Sequence, residues 1–356
     1  MSRPLSSLAP LSSAFRAIMR RIALLIAGGR GERFWPKSRY HLPKQFLSLT
    51  GPKPLIKLTY ERLKGFIEHQ DIWIIVPEDL KPKLKKILPR VKIITEPEGR
   101  NTAPAIAYAT LKLRKSYGDA VMFVLPADHW VYRRDKFLKI LSIAYQHALG
   151  GSLVTLGIKP TRPDTGYGYI QVDGRVGGNA YRVLKFKEKP DLETARHYLE
   201  IGGFYWNSGI FIWRIDRILE EFRRHMPKMM SRLEEFIRSK KKELYHKLPS
   251  ISIDYGIMEK ASDVVMIEAN FEWDDLGTWN ALARHLKTDP SGNVRVGRVC
   301  LSDSKNSIFY SDHGLIAALG VEDMIVVRTE DAVLVCPRSK ANEVKTLIKK
   351  LRKEER

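Results

Sequence analysis

The chain has 356 residues, 44% hydrophobic and 28% charged, which supports a full core and a length suited to one large domain with a smaller one. Its apolar runs, residues 22–27 among the longest, fall far short of the roughly 20 residues needed to cross a bilayer, so no transmembrane helix and no membrane partner are expected. The formal charge of +21 favours anionic ligands without choosing among nucleotide, sugar phosphate, nucleic acid and membrane surface.

Residues 1–21 contain Arg3, Arg16, Arg20 and Arg21 and no acid, with Leu8, Leu11, Phe15 and Ile18 at helical spacing. Such a composition fits a targeting peptide. Met19, however, stands directly before the basic pair and the first strand, so the preferred reading is a disordered N-terminal extension over residues 1–18. Residues 22–27 then read as a buried parallel strand that runs into Gly28 and Gly29. Helical periodicity follows over residues 55–66, a strand over 72–76, a helix over 80–88, a strand over 91–95, a helix over 103–115, a strand over 120–125 and a helix over 136–149. This alternation predicts a doubly wound α/β fold around a mostly parallel sheet.

Beyond Gly150 the order is less regular, with strands over residues 153–158, 168–172 and 183–188 and a helix over 191–201, so the sheet is expected to turn mixed there. Residues 214–247 read as helix interrupted at Pro227, and 253–260 as a further helix. Residues 288–293, with Pro290 and Gly292, form the best linker. The expected domains are a catalytic domain over 19–287 and a small C-terminal β domain over 291–356, closed by an amphipathic helix over 340–353. Cys300 and Cys336 match no metal or redox spacing and sit in strand-like runs, which reads as two core thiols in a reducing, cytoplasmic compartment, with a disulfide as the lesser alternative.

The glycines of LIAGGRGERFWP (residues 25–36) lie where backbone amides can approach phosphate oxygens, and Arg33 adds a cation. No Gly-Lys-Ser/Thr follows, so this is not a P-loop, and the spacing is not the dinucleotide fingerprint. Followed by PKQF (43–46), the segment resembles the sugar-nucleotidyltransferases. EPEGRNTAPA (96–105), LPADH (125–129), TGYGYI (165–170), FKEKP (186–190), WNSGIF (206–211) and FEWDDLGTW (271–279) come in the order and spacing of the mannose-1-phosphate guanylyltransferases. The resemblance covers roughly residues 20–285 by discrete motifs and the small β domain more loosely.

That resemblance implies a Rossmann-like nucleotidyltransferase fold and a Mg²⁺-assisted reaction of GTP with mannose 1-phosphate. It implies that Gly28, Gly29, Gly31 and Arg33 hold the triphosphate, that Lys44 neutralises charge at the reacting phosphates, and that Glu96, Asn101 and Thr102 meet the base and its surroundings. Asp128, at a strand exit, and Asp275 are the implied Mg²⁺ ligands, with Asp274 as competitor for the second position. Gly168, Glu188, Lys189 and Asn207 are the implied contacts to the sugar phosphate. Tyr167, Tyr169, Trp206, Trp273 and Trp279 fit pocket lining, though aromatic core packing is the preferred role for most of them. His129 reads as structural rather than as a base, because a phosphate nucleophile is already ionised at neutral pH. Some family members carry an additional isomerase domain, and this chain stops before such a segment, so one activity is expected. The alternatives are a nucleotidyltransferase for another base or hexose, and a non-catalytic regulatory homologue. Nucleic-acid binding by the basic tail over residues 349–356 is disfavoured by its interleaved acids. A homodimer is neither required nor excluded.

Overall fold

The structure, a computed structural model, describes residues 19–355; the expected extension over residues 1–18, and the targeting-peptide alternative to it, lie outside the described residues. The chain opens with strand β1 (Arg21–Ile26). Its side chains alternate between two cores. Ala23 and Leu25 enter one apolar cluster and Ile22 and Leu24 the other, so both faces of the strand are covered and the run is apolar throughout.

Helix α1 (Leu55–Arg62), β2 (Ile72–Pro77), α2 (Lys81–Ile87), β3 (Lys92–Glu96), α3 (Thr102–Tyr117) and β4 (Val121–Pro126) complete the expected alternation. β2 and β4 both run parallel to β1, on its two sides. β1 therefore sits where the winding changes direction, and the carboxyl ends of β1 and β4 frame a ready-made crevice. The chain continues through β5 (Trp130–Val131), α4 (Arg134–Leu149), β6 (Leu153–Ile158), β7 (Tyr169–Gly177), β8 (Ala180–Lys187), α5 (Leu192–Ile201) and β9 (Phe204–Arg214). Next come α6 (Ile215–His225), α7 (Pro227–Ser239), α8 (Lys242–His246) and β10 (Val264–Ala269). The main sheet has nine strands in the order β3-β2-β1-β4-β9-β6-β10-β8-β7. It becomes mixed where expected, since β9 runs antiparallel to both β4 and β6.

The helix expected over residues 253–260 is instead a single π-helical turn, Asp254–Met258. Its wide turn buries Gly256, Ile257 and Met258 while leaving Asp254 at the crevice. A short ribbon pairs β5 with β11 (Trp273–Asp274), in register Trp273↔Val131 and Asp274↔Trp130.

After α9 (Trp279–Ala283), strands β12 (Val294–Ser302), β13 (Ile308–Leu319) and β14 (Met324–Arg328) pair in parallel, and β15 (Val333–Pro337) closes antiparallel on β14. Successive parallel strands separated by only a few residues make a coil, not hairpins. Its corners use the left-handed backbone, with φ of 47° at Asp303, 45° at Asn306 and 55° at Asp323, residue types that tolerate it. Asn306 donates to Asp323 and so links two neighbouring corners.

Two expectations are corrected here. The terminal helix is not one element over residues 340–353: a 3₁₀ segment, Arg338–Glu343, leads into the five-residue α10 (Val344–Ile348), with Ala341, Val344 and Ile348 buried in the apolar cluster. Cys300 is not a core residue. It lies on the outward-facing side of β12, exposed, while Cys336 is half-buried, and both thiols are free.

A third apolar cluster joins this coil to the main body, with Phe34, Trp35 and Trp279 packed against Tyr310, Val344 and Ile348. Among the described residues no helix is long and apolar enough to cross a membrane.

Candidate active site

The crevice beyond β1 and β4 holds two adjoining cavities. One of about 840 Å³ is lined by Gly28, Gly29, Gly31, Arg33, Lys44, Glu96, Asn101 and Thr102. The other, of about 290 Å³, is lined by Tyr167, Gly168, Glu188, Asn207, Asp254 and Trp273. Asp128, His129 and Asp275 line both.

The glycine loop is shaped by what lies behind it. Gly31 has φ of 62°, and a Cβ there would stand 2.3 Å from the Cβ of Lys44, so only glycine lets the loop close on the lysine segment. A Cβ on Gly28 would lie 3.1 Å from Glu96 Oε1. Gly29 faces open space. Arg33 follows on a 3₁₀ turn, Glu32–Phe34, whose Phe34 is fully buried, and its Nε is buried without a hydrogen-bond partner.

Lys44 is buried and satisfied. Its Nζ pairs with Asp128 Oδ2 at 2.7 Å and donates to the carbonyls of Asp275 at 2.6 Å and Leu276 at 3.2 Å. Lys44 thus ties the β4 exit to the loop that carries the second aspartate. The β5–β11 ribbon performs the same task through the backbone, and so two carboxylates remote in sequence reach one site. Burial works to raise the Asp128 pKa, but the Lys44 ammonium beside it brings it below its usual value. Asp275 goes the other way, raised by burial despite Lys44 and further by the charge of Asp274. Its Oδ1 accepts from Tyr167 Oη at 3.1 Å and from the Gly277 amide at 2.9 Å. The Tyr167 phenol is held protonated, chiefly by burial and then by the Asp275 charge.

Asp274 turns away from the crevice. It accepts from Arg284 Nη2 at 2.6 Å, lies 3.0 Å from His285 Nε2 and accepts from the Leu276 amide at 2.8 Å, a buried network that fixes the loop. His129 is depressed to about 4, mainly by burial, and its Nδ1 accepts from Trp273 Nε1 at 3.2 Å, the behaviour of a neutral packing residue.

Glu96 ends β3 with 2% of its surface exposed. Its Oε2 accepts from Tyr245 Oη at 2.7 Å, which leaves Oε1 beside Gly28. Burial raises it to about 7, offset in part by the Tyr245 hydrogen bond. No surface lysine or arginine pairs with it among the described residues. Asn101 and Thr102 also line this cavity, with their side chains already engaged: Asn101 Oδ1 accepts from the Thr102 amide at 2.8 Å and caps α3, and Thr102 Oγ1 accepts from the distant Ile253 amide at 2.8 Å.

On the smaller side, a Cβ on Gly168 would fall 2.3 Å from Glu188 Oε2, and the Gly168 carbonyl accepts from the Asn207 amide at 2.8 Å. Lys189 is exposed, and its Nζ folds back onto Glu188 Oε1 at 2.5 Å. Asn207 Nδ2 donates to Asp254 Oδ1 at 2.7 Å, while its Oδ1 accepts from Thr155 Oγ1 and the Gly209 amide. Asp254 is raised to about 6 by burial and then by Glu188. Of the aromatics, Tyr167 and Trp273 line the cavity, while Tyr169, Trp206 and Trp279 are core residues.

Residues 22–291 match the nucleotidyl transferase family, and residues 297–351 match the MannoseP isomerase/GMP-like beta-helix domain. The chain belongs to the nucleotidyl transferase family. It is 38% identical over 354 residues to a mannose-1-phosphate guanylyltransferase of Escherichia coli, covering 94% of this chain and 74% of that protein. It is 40% identical over 355 residues to one of Salmonella montevideo, with the same coverage. A solved structure from Thermus thermophilus, described as a mannose-1-phosphate geranyltransferase, superposes with a TM-score of 0.86 at 38% identity, covering 93% of this chain and 99% of that one. The motif resemblance therefore extends along most of the chain, and the fold is the family's mixed α/β sheet with a C-terminal β domain.

Tyr245, Asp254 and Lys345 line or support the nucleotidyl transferase crevice and stand in none of the motifs. Tyr245 sits in a charge-laced helical stretch, and Asp254 in a segment that reads as ordinary helix. No sequence signal marked any of the three.

Proposed function

We propose that this chain transfers GMP from GTP to mannose 1-phosphate, releasing pyrophosphate. One observation carries the reading: two cavities of different size and lining meet at Asp128 and Asp275. The larger suits a nucleoside triphosphate, with the glycine loop, Arg33 and Lys44 toward the phosphates and Glu96 toward guanine. The smaller suits a hexose, with Glu188 and Asp254 as acceptors for hydroxyls and Gly168 and Asn207 shaping the wall beside them. Lys189, which lines neither cavity, would reach the sugar phosphate only by releasing Glu188.

In this arrangement an oxygen of the sugar phosphate attacks the α-phosphorus of GTP, a new P–O bond forms, and the bond to the β-phosphate breaks with its electron pair leaving on pyrophosphate. The nucleophile is already ionised, so no base is required, in keeping with a neutral, packed His129. Alignment and charge neutralisation carry the reaction. Lys44 holds both aspartate segments and places one positive charge between them. Tyr167 and the Gly277 amide fix the rotamer of Asp275.

Two features of the site fit a magnesium ion. Neither Asp128 Oδ1 nor Asp275 Oδ2 has a side-chain hydrogen-bond donor among the described residues, and burial without sufficient positive charge raises the Asp275 pKa, a penalty a cation relieves. Both carboxylates line the two cavities where they meet, and a magnesium ion is commonly bound by one or two carboxylates plus phosphate oxygens and water. Asp128 and Asp275 would hold the ion, which would supply charge neutralisation at the phosphate oxygens.

The test is a coupled pyrophosphate-release assay with GTP and mannose 1-phosphate, run against ATP, UTP and dTTP and against other hexose 1-phosphates. Highest catalytic efficiency with GTP and mannose 1-phosphate is expected. Higher efficiency with another base or hexose overturns the assignment of that substrate.

A further inference from the structure

The larger cavity is lined at one side by an exposed residue of the small domain, Lys345. Lys345 lies on α10, which Val344 and Ile348 seat in the apolar cluster with Phe34 and Trp35. The Glu355 carbonyl accepts from Trp35 Nε1 at 3.0 Å and fastens the end of the chain to the same place. α10 therefore packs on the 3₁₀ turn Glu32–Phe34 that carries Arg33. Glu96, by contrast, packs on Gly28 and Tyr245. Lys345 thus belongs to the Arg33 end of the cavity, away from the carboxylate assigned to the base.

The cations of this cavity divide into two kinds. Arg30 pairs with Asp79 at 3.0 Å and Lys44 with Asp128 at 2.7 Å. Neither Arg33 nor Lys345 has an ion-pair partner among the described residues, and the buried Nε of Arg33 lacks any hydrogen-bond partner. Two unpaired cations facing one space, one with an orphaned buried donor, leave an excess of positive charge that an anionic ligand satisfies. A lysine suits this place because its flexible stem follows a phosphate as a point charge without demanding bidentate geometry.

We propose that Lys345 binds the β- and γ-phosphates of the nucleoside triphosphate, and hence the pyrophosphate product, so that the small β domain completes the active site. The inference rests on the nucleotide reading of the larger cavity. It accounts for the close packing of α10 on the Arg33 turn, since a small displacement of either moves both cations.

The experiment compares wild type, Lys345→Ala, Lys345→Arg and, as a control on the same terminal segment, Lys350→Ala. Titration calorimetry with GTP and with GMP, in magnesium chloride, is combined with KM values for GTP, mannose 1-phosphate and, in the reverse direction, pyrophosphate. Lys345→Ala is expected to weaken GTP binding and raise the pyrophosphate KM by roughly threefold to tenfold, as fits one charge-assisted contact from an exposed lysine. GMP affinity and the KM for mannose 1-phosphate stay at wild-type values, Lys345→Arg recovers most of the loss, and Lys350→Ala matches wild type. An unchanged GTP-to-GMP affinity ratio in Lys345→Ala overturns the proposal, as does an equal loss for both nucleotides, which marks a displaced domain instead of a lost phosphate contact. A wild type that binds GTP no more tightly than GMP overturns both this inference and the nucleotide reading beneath it.

Discussion

Replacing Glu96 with Gln separates two consequences of burying a carboxylate. Burial raises the Glu96 pKa from 4.5 to about 7, so the charged form is disfavoured in the folded chain by on the order of 3 kcal/mol. The folded-state value lies above the unfolded one; the contribution to stability is therefore complete below about pH 4.5 and is lost as pH rises through about 7. Glutamine does not titrate and retains a carbonyl to accept from Tyr245. Thermal and denaturant unfolding should therefore show Glu96→Gln more stable than wild type by about 1–3 kcal/mol at pH 8.5, with the advantage shrinking toward zero near pH 5. The same change costs selectivity. With Oε2 committed to Tyr245, Oε1 is the acceptor left for the guanine N1–H and 2-amino donors, and an amide nitrogen there opposes a donor to donors. The GTP-over-ATP ratio in kcat/KM should fall roughly tenfold or more, about 1.4 kcal/mol, and in wild type kcat/KM for GTP should rise with pH through about 7. A stability difference independent of pH refutes the burial argument. A retained GTP preference refutes the base assignment and moves base reading to backbone groups around residues 101–103.

Asp275→Asn should lower turnover by orders of magnitude with the fold intact, since burial already disfavours that charge; near-normal turnover at saturating magnesium would sink the metal-ligand role. Asp274→Asn should do the reverse, costing about 1–2 kcal/mol of stability by removing the charge that pairs with the partly exposed Arg284, with a smaller loss of turnover, as measured by denaturant melts beside steady-state kinetics. Gly31→Ala forces a Cβ toward Lys44 at a backbone position with φ of 62°, and should reduce kcat by roughly 100-fold through a displaced lysine; a wild-type kcat would show that the loop yields without moving Lys44.

Much of the architecture is written in local patterns. The alternating strands and helices up to Leu149 fall within a few residues of their expected bounds, because each strand is buried on both faces and reads as an apolar run, and each helix shows one apolar face. The glycine loop and Asp128 were legible for a related reason: a strand exit beside the switch point binds anions through backbone geometry that demands glycine, and glycine is visible in a sequence, whereas Lys44 came only from the motif resemblance. The parallel coil of the small domain was not legible. Asp303, Asn306 and Asp323 signal turns, but a corner of a coil and the turn of a hairpin use the same residues, and only strand pairing tells them apart.

The sequence by itself determined which residue types stand at the strand exits, and with them the fold class and the motif resemblance. Only the tertiary structure decided which carboxylates face the crevice. Adjacent in the chain, Asp274 and Asp275 carry the same chemistry, yet one is buried against Arg284 and His285 and the other lines both cavities. That choice is made by the β5–β11 ribbon and the three contacts of Lys44. Tyr245 under Glu96 and Asp254 beside Asn207 were likewise placed by packing between segments more than 40 residues apart. A pKa is set by what surrounds a group in space, so the raised values at Glu96 and Asp254 exist only once distant segments have excluded water from them.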